Sequence, residues 1–376
     1  MVTANTRHQG VASVTSQWAI RVPLLPDEII SSWLVRAALT QGCDPLVLTG
    51  DVWPKWRIWT QDADRFLDDE RIEPLCAVSG ITKEALRAAT LYPVASHIAG
   101  GNPPEKAVWP WMLTLGARNT KRRSGLQYCP ACLTEDSTPY FRLHWRFAWH
   151  VGCEKHGCAL HDRCHVCDAP VEPHRLLAED QQVSLCATCK ADLRNAIATP
   201  CVASAQAFQS MADHVALHGQ GQYLGETIDA HHWFEIASFF ASLIRRASRS
   251  ENEILTDFLQ QLGVHLPEGL PVIVGAGIEM LRTHDRQKLL ESLYPLMMAG
   301  QEQFELALKQ SGIALQTFCG KDETLPKLLL EIASALPDKS RIRTSKPARK
   351  LSGPRPRHEV MKMMARLQRK LEMTKR

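Results

Sequence analysis

Four short cysteine and histidine motifs lie between residues 129 and 189: Cys129-Pro-Ala-Cys132, Cys153-Glu-Lys-His156, Cys164-His-Val-Cys167 and Cys186-Ala-Thr-Cys189. Two residues separate the members of each pair, so both side chains of a pair can reach one ion. Twenty residues separate the first pair from the second, and eighteen separate the third from the fourth. Such spacings are typical of tetrahedral zinc sites, and the pattern therefore predicts two zinc ions.

Consecutive pairing of the motifs is the simplest assignment of ligands. It places Cys129, Cys132, Cys153 and His156 on one ion and Cys164, Cys167, Cys186 and Cys189 on the other. A cross-braced arrangement, in which the first and third pairs share an ion, is also compatible with the spacing. Four protein ligands leave no position for an activated water, so both zinc ions are predicted to be structural. The neighbouring Cys158, His161 and His165 are predicted to pack around the sites.

The composition is that of a soluble globular protein. The chain has 376 residues, of which 45% are hydrophobic and 22% are charged. This length suggests two or three domains. The most apolar stretches are about nine residues long, as in 236–244, which includes Ser238 and Ser242. A membrane span needs about 20, which excludes an integral membrane protein. The polar first residues show no secretory signal, so we expect a cytoplasmic, nucleoid-associated protein with reduced cysteines.

Positive charge is concentrated at the C-terminus. Residues 339–376 contain 14 Lys and Arg against 2 Asp and Glu, whereas the remaining residues contain 30 Lys and Arg against 38 Asp and Glu. A basic tail on an acidic body predicts an arm for nucleic acid. The alternative is a solvated terminus without a specific partner. Val360, Met364, Leu367 and Leu371 form a possible apolar stripe on a tail helix, which could dock on a partner or on DNA.

The remainder of the chain is predicted to be mainly α-helical. The sequence predicts a helix start at Pro26-Asp27-Glu28, a loop or connector over residues 93–120 and one buried helix over residues 233–244. It also predicts a break between two helices near Ala299-Gly300 and the end of the last body helix at Pro337. We expect an N-terminal helical domain (1–120), a two-zinc finger domain (121–200), a C-terminal helical domain (201–337) and a basic linker with a tail helix (338–376). Within the first, residues 71–90 have the pattern of a helix-turn-helix, with a turn at Gly80 and an N-cap at Thr82. The second helix would present Lys83 and Arg87 outward, to DNA or to a protein.

An aromatic and basic run, residues 140–149, separates the first two motifs. Its rings could stack on bases, but the favoured interpretation is that they cover the zinc sites and fill the core. Thiolate ligands make both sites negative, so nucleic-acid contacts have to come from side chains. The candidates from the whole chain are Lys83, Arg87, Lys121, Arg122, Arg123, Arg142, Arg146, Arg349, Lys350, Arg355 and Arg357.

Catalytic motifs are missing from the sequence. It contains no Gly-x4-Gly-Lys-Ser/Thr phosphate loop, no His-Glu-x2-His and no Gly-x-Ser-x-Gly. No His-x-Glu precedes Cys129, so the zinc deaminase signature is absent as well. We therefore expect a protein that is not an enzyme. A metal-dependent nuclease stays open as an alternative, because its carboxylates need no local motif.

Three segments together resemble the TniQ/TnsD family of transposition target-selection proteins. The first is Pro23-Leu-Leu-Pro26-Asp27-Glu28, followed by Ser32-Trp33-Leu34 and Arg36. The second is Tyr128-Cys129-Pro130-Ala-Cys132-Leu133, followed by Pro139-Tyr140-Phe141-Arg142 and Trp145-Arg146. The third is Cys153-x2-His156-Gly157, with Leu160 and Cys164-x2-Cys167 after it. The resemblance covers about residues 22–190.

The resemblance implies a non-catalytic adaptor for DNA transposition. Such proteins link a target-recognising element to an AAA+ ATPase regulator, and through it to the transposase of the same element. Some members bind a DNA site, and others act on a CRISPR guide-RNA complex, where they are homodimers. A different hypothesis is a zinc-containing, DNA-binding transcription regulator that uses the same zinc and helix-turn-helix parts. No membrane partner is predicted.

Overall fold

The computed structural model describes residues 17–104, 108–115, 125–250, 252–271, 277–320, 324–334 and 336–337, together with 357, 360, 361 and 364. Contacts divide the chain into two compact units, Met1–Pro337 and Asp338–Arg376. The finer division of the first unit into three domains stays a prediction. As the sequence predicts, the fold is mainly helical, and none of the described helices is long and apolar enough to cross a membrane.

Up to residue 337, the described residues form thirteen α-helices and one antiparallel two-stranded sheet. The helices are α1 (Ile30–Thr40), α2 (Pro45–Val52), α3 (Asp69–Ser79), α4 (Lys83–Ala88), α5 (Tyr92–Ala99), α6 (Pro130–Glu135), α7 (Ala203–His218), α8 (Ala230–Ala247), α9 (Glu253–Gln261), α10 (Thr283–Met298), α11 (Gln301–Ser311), α12 (Leu315–Phe318) and α13 (Lys327–Ser334). The strands are β1 (Gln220–Tyr223) and β2 (Glu226–Asp229).

Helix α1 is buried on nearly every side because it lies between two apolar clusters. Ile30, Trp33 and Leu34 belong to the N-terminal cluster, which also takes residues from α2, α3 and α4. Ile29 and Val35 belong to the main cluster, which continues through the central segment into the C-terminal helices. The helix therefore joins the two cores, and few positions on it can be changed without opening a cavity.

Helix α1 begins just after Pro26-Asp27-Glu28, but its N-cap is Ile29 and its first turn contains no acidic residue. Glu28 is buried and accepts hydrogen bonds from Arg36, Nε to Oε1 at 2.7 Å and Nη2 to Oε2 at 2.6 Å. Asp27 has a left-handed backbone (φ 56°), and its side chain bonds to His144. Residue Glu28 also forms an antiparallel bridge with Arg142. Through these contacts with Arg142 and His144, Asp27 and Glu28 hold the N-terminal segment against the chain beyond residue 140.

Two consecutive helices, α3 and α4, occupy the region for which the sequence predicts a helix-turn-helix, and that motif stays a prediction. Helix α3 ends at Gly80, whose φ of 71° is readily adopted only by glycine. Thr82 caps α4 by accepting a hydrogen bond from the Ala85 N–H at 3.3 Å. Helix α4 has only six residues. Whether this unit reads DNA stays a prediction.

The C-terminal helices follow the predicted pattern closely. Helix α8 buries its whole apolar face, including Trp233, Phe240 and Ile244. The break predicted near Ala299-Gly300 separates α10 from α11. Helices α7 and α10 pack together and bring the C-terminal part against the central segment. Helix α13 ends before Pro337, as predicted.

Two local elements differ from the sequence prediction. The sequence predicts a loop or connector over residues 93–120, but residues 92–99 form α5, with Pro93 in its first turn. Strands β1 and β2 form an unpredicted hairpin, in which Leu224 (φ 48°) and Gly225 (φ 83°) make the turn. Of the predicted tail stripe, Val360 and Met364 are helical and exposed, while Leu367 and Leu371 lie outside the described residues.

Candidate metal centres and their surroundings

The first cluster brings together the four residues predicted from the first two motifs. The Nδ1 atom of His156 lies 3.4 Å from Sγ of Cys129 and 3.3 Å from Sγ of Cys132 and of Cys153. The sulfurs of Cys132 and Cys153 are 3.5 Å apart. Zinc–sulfur bonds of 2.3 Å in a tetrahedron give edges of about 3.8 Å, so these spacings suit one tetrahedral ion.

The second cluster is built from the other two motifs. Sγ of Cys164 lies 3.6 Å from Sγ of Cys189, and Sγ of Cys167 lies 3.7 Å from Sγ of Cys186. All four ligand atoms lie within 4.8 Å of one another. The structure therefore groups the motifs consecutively, and it does not bring the first and third motifs together as the cross-braced alternative requires.

The backbone explains why the spacing of two residues works. In all four motifs, the N–H four residues after the first cysteine donates to the carbonyl of that cysteine, at 2.8–3.1 Å. In the last three motifs the donors are Gly157, Asp168 and Lys190, which have left-handed backbones with φ of 61°, 52° and 62°. Each turn folds back on itself and aims both of its ligand side chains into the same space.

The first motif reaches the same result with a helix. Cys129 is the N-cap of α6, and its sulfur accepts a hydrogen bond from the Cys132 N–H at 3.4 Å. Pro130 occupies the first helical position, where a missing N–H costs nothing. The first turn of α6 therefore presents both thiols on one side.

Charged and polar neighbours support both clusters. Nε2 of His156 lies 3.0 Å from Glu135 Oε1, so Nδ1 is left to face the thiols. A carboxylate on the outer nitrogen orients a ligating histidine and increases its basicity. In the second cluster, the backbone N–H of Ala191 lowers the pKa of Cys189 to about 7, which favours the thiolate that a metal needs.

The two clusters differ in exposure. In the first, the three cysteines are buried and His156 is half-buried, whereas Cys167 and Cys189 of the second are exposed. Cys158 lies outside the ligand set, with its sulfur 3.5 Å from that of Cys129. His161 stacks on Tyr128 with ring centroids 5.3 Å apart. For these two residues, the predicted packing role is confirmed.

The aromatic run between the first two motifs fills the core. Phe141, Trp145 and Trp149 are fully buried, and the ring of Phe147 stacks on that of Trp149 at 4.6 Å. The interpretation that these rings fill the core is confirmed for the buried ones. They leave no ring face for a nucleic-acid base.

The structure corrects the prediction that Arg146 contacts nucleic acid. Its side chain is completely buried, and Nη2 donates to Asp62 Oδ2 at 2.7 Å and to the Leu113 carbonyl at 2.7 Å. It also forms an ion pair with Asp64. Burial lowers the pKa of Arg146, but the two carboxylates outweigh it and hold the pKa above its usual range. Arg146 is thus a structural charge, comparable to Arg36.

The prediction for Arg142 is weakened in the same way. Nη2 donates to Asp136 Oδ1 at 2.8 Å, and the guanidinium carbon lies 4.4 Å from the ring centre of Tyr140 and 4.7 Å from that of Trp145. The side chain is 13% exposed. Most of its surface is therefore already covered by the protein.

The other candidate nucleic-acid contacts remain predictions. Lys83 forms an ion pair with Asp69 at 2.7 Å, and the exposed Arg87 also pairs with Asp69. Arg357 is helical and exposed. Six further candidates lie outside the described residues: Lys121, Arg122, Arg123, Arg349, Lys350 and Arg355.

Comparison with known families identifies the segment that holds the first cluster. Residues 19–160 match the family model for TniQ, including all four ligands of that cluster. Residues 19–160 of the chain therefore form a TniQ domain. A TniQ domain indicates a role in target selection during transposition. A search of curated proteins finds no match to the chain. The second cluster begins at Cys164, just beyond the matched segment.

The sequence analysis does not identify two polar residues outside the TniQ domain that bond to it, the half-buried Asp213 and the buried Arg286. Asp213 Oδ1 accepts hydrogen bonds from Trp149 Nε1 and His150 Nε2, both at 2.7 Å. Arg286 Nη1 donates to the carbonyl of Ala148 at 2.6 Å. Burial lowers the pKa of Arg286 to about 10, so the residue remains charged near neutral pH. No local motif marks these residues, because their partners are more than sixty residues away in sequence.

Proposed function

We propose that this TniQ-domain protein is a non-catalytic adaptor that selects target sites for DNA transposition. It links a recognised target, either a DNA site or an RNA-guided complex, to an AAA+ ATPase regulator and through it to the transposase. The observation that carries the proposal is the family match over residues 19–160, which includes a complete four-ligand cluster.

The chemistry of the clusters supports a structural rather than a catalytic role. We assign zinc to both, because structural zinc sites are typically built from four cysteines, or from three cysteines and one histidine, at these spacings. Each cluster already supplies four ligands. A catalytic zinc needs a position for water or substrate. In this proposal the ions fix the turns that carry the aromatic core, and the surrounding helices make the partner contacts.

The proposed DNA-binding surface is the basic tail. Residues 339–376 contain 14 of the 44 Lys and Arg residues of the chain. Such a concentration of charge suits phosphate contacts, which release counterions and make affinity depend on salt. The proposal assigns sequence selection to other parts of the assembly, since phosphate contacts carry no sequence information.

The test is a pull-down of the tagged full chain from its native host, with mass spectrometry of the proteins and sequencing of the bound nucleic acid. The adaptor proposal expects an AAA+ ATPase or a transposase in the eluate. Recovery of a guide RNA would show that an RNA-guided complex recognises the target. Recovery of enriched DNA without a guide RNA would show that a DNA site is recognised instead. The matched control is the same chain carrying Cys153→Ser, which removes a ligand of the first cluster.

A second candidate is a zinc-containing transcription regulator, favoured by the α3–Gly80–α4 unit. That function expects one promoter to dominate the recovered DNA, with neither an ATPase nor a transposase. A nuclease would require DNA cleavage that depends on added magnesium. Recovery of a single promoter without transposition proteins would overturn the adaptor proposal.

A further inference from the structure

A groove of about 920 Å³ lies between α5 and α7, away from both metal clusters. Its lining combines Tyr92 and Val94 of α5 with Leu217 of α7, together with Phe66 and Phe147. A volume of this order can accept several large side chains. The groove therefore has the size of a binding site rather than of a packing defect.

The apolar lining of the groove is unusually open to solvent. Leu217 is 77% exposed and Phe66 is 43% exposed, although Phe66 packs on the ring of Tyr92 at 4.8 Å. Phe147 is buried and stacks on Trp149 below. Large exposed apolar side chains around a concave surface are typical of protein interaction sites. A groove between two helices suits an amphipathic helix that inserts side chains one turn apart.

One carboxylate gives the groove its charge preference. Asp213 lines it, and Oδ1 is engaged by Trp149 and His150. Within the part of the chain that the structure describes, Oδ2 makes no hydrogen bond. Burial alone raises the pKa of Asp213, but the neighbouring His150 and the hydrogen bonds outweigh it and lower the pKa, so the group is an anion.

Of the basic side chains near the groove, His150 pairs with Asp213, its Nε2 lying 2.7 Å from Oδ1. Arg87 lines the rim, but it is held in an ion pair with Asp69 of α3. His97 is exposed on the last turn of α5. A ligand that fills the groove would therefore meet apolar walls and the second carboxylate oxygen of Asp213, Oδ2, since Oδ1 is taken by Trp149 and His150. Charge complementarity favours a Lys or Arg beside the apolar anchors of that ligand.

We propose that this groove binds a short amphipathic helical segment of a partner protein, which inserts two apolar side chains and places a Lys or Arg against Asp213. This inference goes beyond the adaptor function, since it concerns peptide binding in the absence of DNA and of a transposition reaction. It holds or fails independently of the pull-down.

The experiment selects a displayed library of 14-residue peptides against the immobilised full chain. Leu217→Asp places a charge on the exposed wall, so it can remove binding without a loss of core packing. Asp213→Asn keeps an acceptor for Trp149 and His150 but removes the charge. The matched control is Leu306→Asp, because Leu306 is 53% exposed on α11 and does not line the groove. The selected peptides are then synthesised, and their affinities for the four proteins are measured by fluorescence anisotropy.

The expected selection enriches peptides with two large apolar residues three or four positions apart and a nearby Lys or Arg. Affinity should fall about tenfold or more with Leu217→Asp, a change of about 1.4 kcal/mol. It should fall less with Asp213→Asn and stay unchanged with Leu306→Asp. Failure to enrich any peptide, enrichment of acidic peptides, or equal binding by Leu217→Asp would overturn the proposal. Melting curves of all four proteins separate lost binding from lost folding.

Discussion

Removal of the buried Arg146 guanidinium should destabilise the protein strongly, and more at neutral than at acidic pH. Arg146 is completely buried and faces two carboxylates, Asp62 and Asp64, which are 9% and 2% exposed. Asp64 also accepts hydrogen bonds from the N–H of Ser31 at 2.9 Å and from its hydroxyl at 3.0 Å, so it cannot turn to solvent without breaking them. The substitution Arg146→Met keeps most of the apolar stem and leaves both carboxylates without their cation.

The magnitude follows from the cost of an unpaired buried charge. Removing one partner of a buried ion pair typically costs about 3–5 kcal/mol. We expect Arg146→Met to lose this much of the free energy of unfolding at pH 7. Arg282→Met is the matched control, since Arg282 forms an exposed ion pair with Asp168 at 2.8 Å. A surface pair of that kind contributes about 0–1 kcal/mol.

The pH dependence gives the sharper test. Burial raises the pKa of Asp64, while Arg146 lowers it, so the variant should raise that pKa further. A group whose pKa is raised by folding stabilises the folded state at low pH and loses that contribution as pH rises through the folded pKa. The difference between Arg146→Met and the natural chain should therefore be smallest near pH 5 and largest near pH 8.

Urea unfolding followed by tryptophan fluorescence at several pH values measures both effects. The double variant Arg146→Met with Asp64→Asn should recover part of the loss, because one of the two buried charges is gone. The reasoning is refuted if Arg146→Met costs no more than Arg282→Met, or if its cost is the same at pH 5 and pH 8.

Three further predictions concern the metal clusters and the tail. Cys186→Ser should bind one metal ion instead of two, whereas Cys158→Ser should keep both because Cys158 lies outside the ligand sets; elemental analysis of the purified proteins distinguishes these outcomes. A chelator should remove metal from the second cluster first, because Cys167 and Cys189 are exposed. A colour-forming zinc indicator should then record two phases of metal release. The Cys186→Ser variant should lack the faster phase. A single phase in the natural chain would contradict that order. Deletion of residues 339–376 should flatten the dependence of DNA affinity on salt, measured by anisotropy from about 50 to 200 mM salt, because fewer counterions are released. An unchanged slope would remove the tail from the DNA contacts.

The metal ligands could be predicted from sequence because their chemistry is local. Two ligands per motif are brought together by a turn of four or five residues, so the spacing of Cys153 and His156 already implies convergence. The consecutive pairing was the simplest arrangement, and the structure groups the motifs in that way. Helices with strong apolar periodicity, such as α8, were predictable for the same reason: one face of the helix is buried throughout.

Residues whose partners are distant in sequence were not predictable in this way. In the sequence, Arg146 looks the same as an arginine that binds nucleic acid. Only the fold shows that Asp62 and Asp64 pair with it. The hairpin β1–β2 was missed because its turn places Leu224 at a positive φ, which sequence rules reserve for Gly, Asn or Asp. Helix α5 was missed because its sequence, with Pro93 in the first turn, is short and stands among residues typical of loops.

The family match stops at residue 160, but the hydrophobic core that contains this segment continues into the C-terminal helices. The backbone N–H groups of Val151 and Gly152 donate to Gln209 Oε1 at 3.0 and 3.1 Å, and the carbonyl of Ala148 accepts from Arg286. A recombinant fragment cut at residue 160 would expose these groups and the apolar surface under α7 and α10. Expression trials should therefore extend to at least residue 337, and an insoluble shorter fragment would reflect the cut rather than the domain.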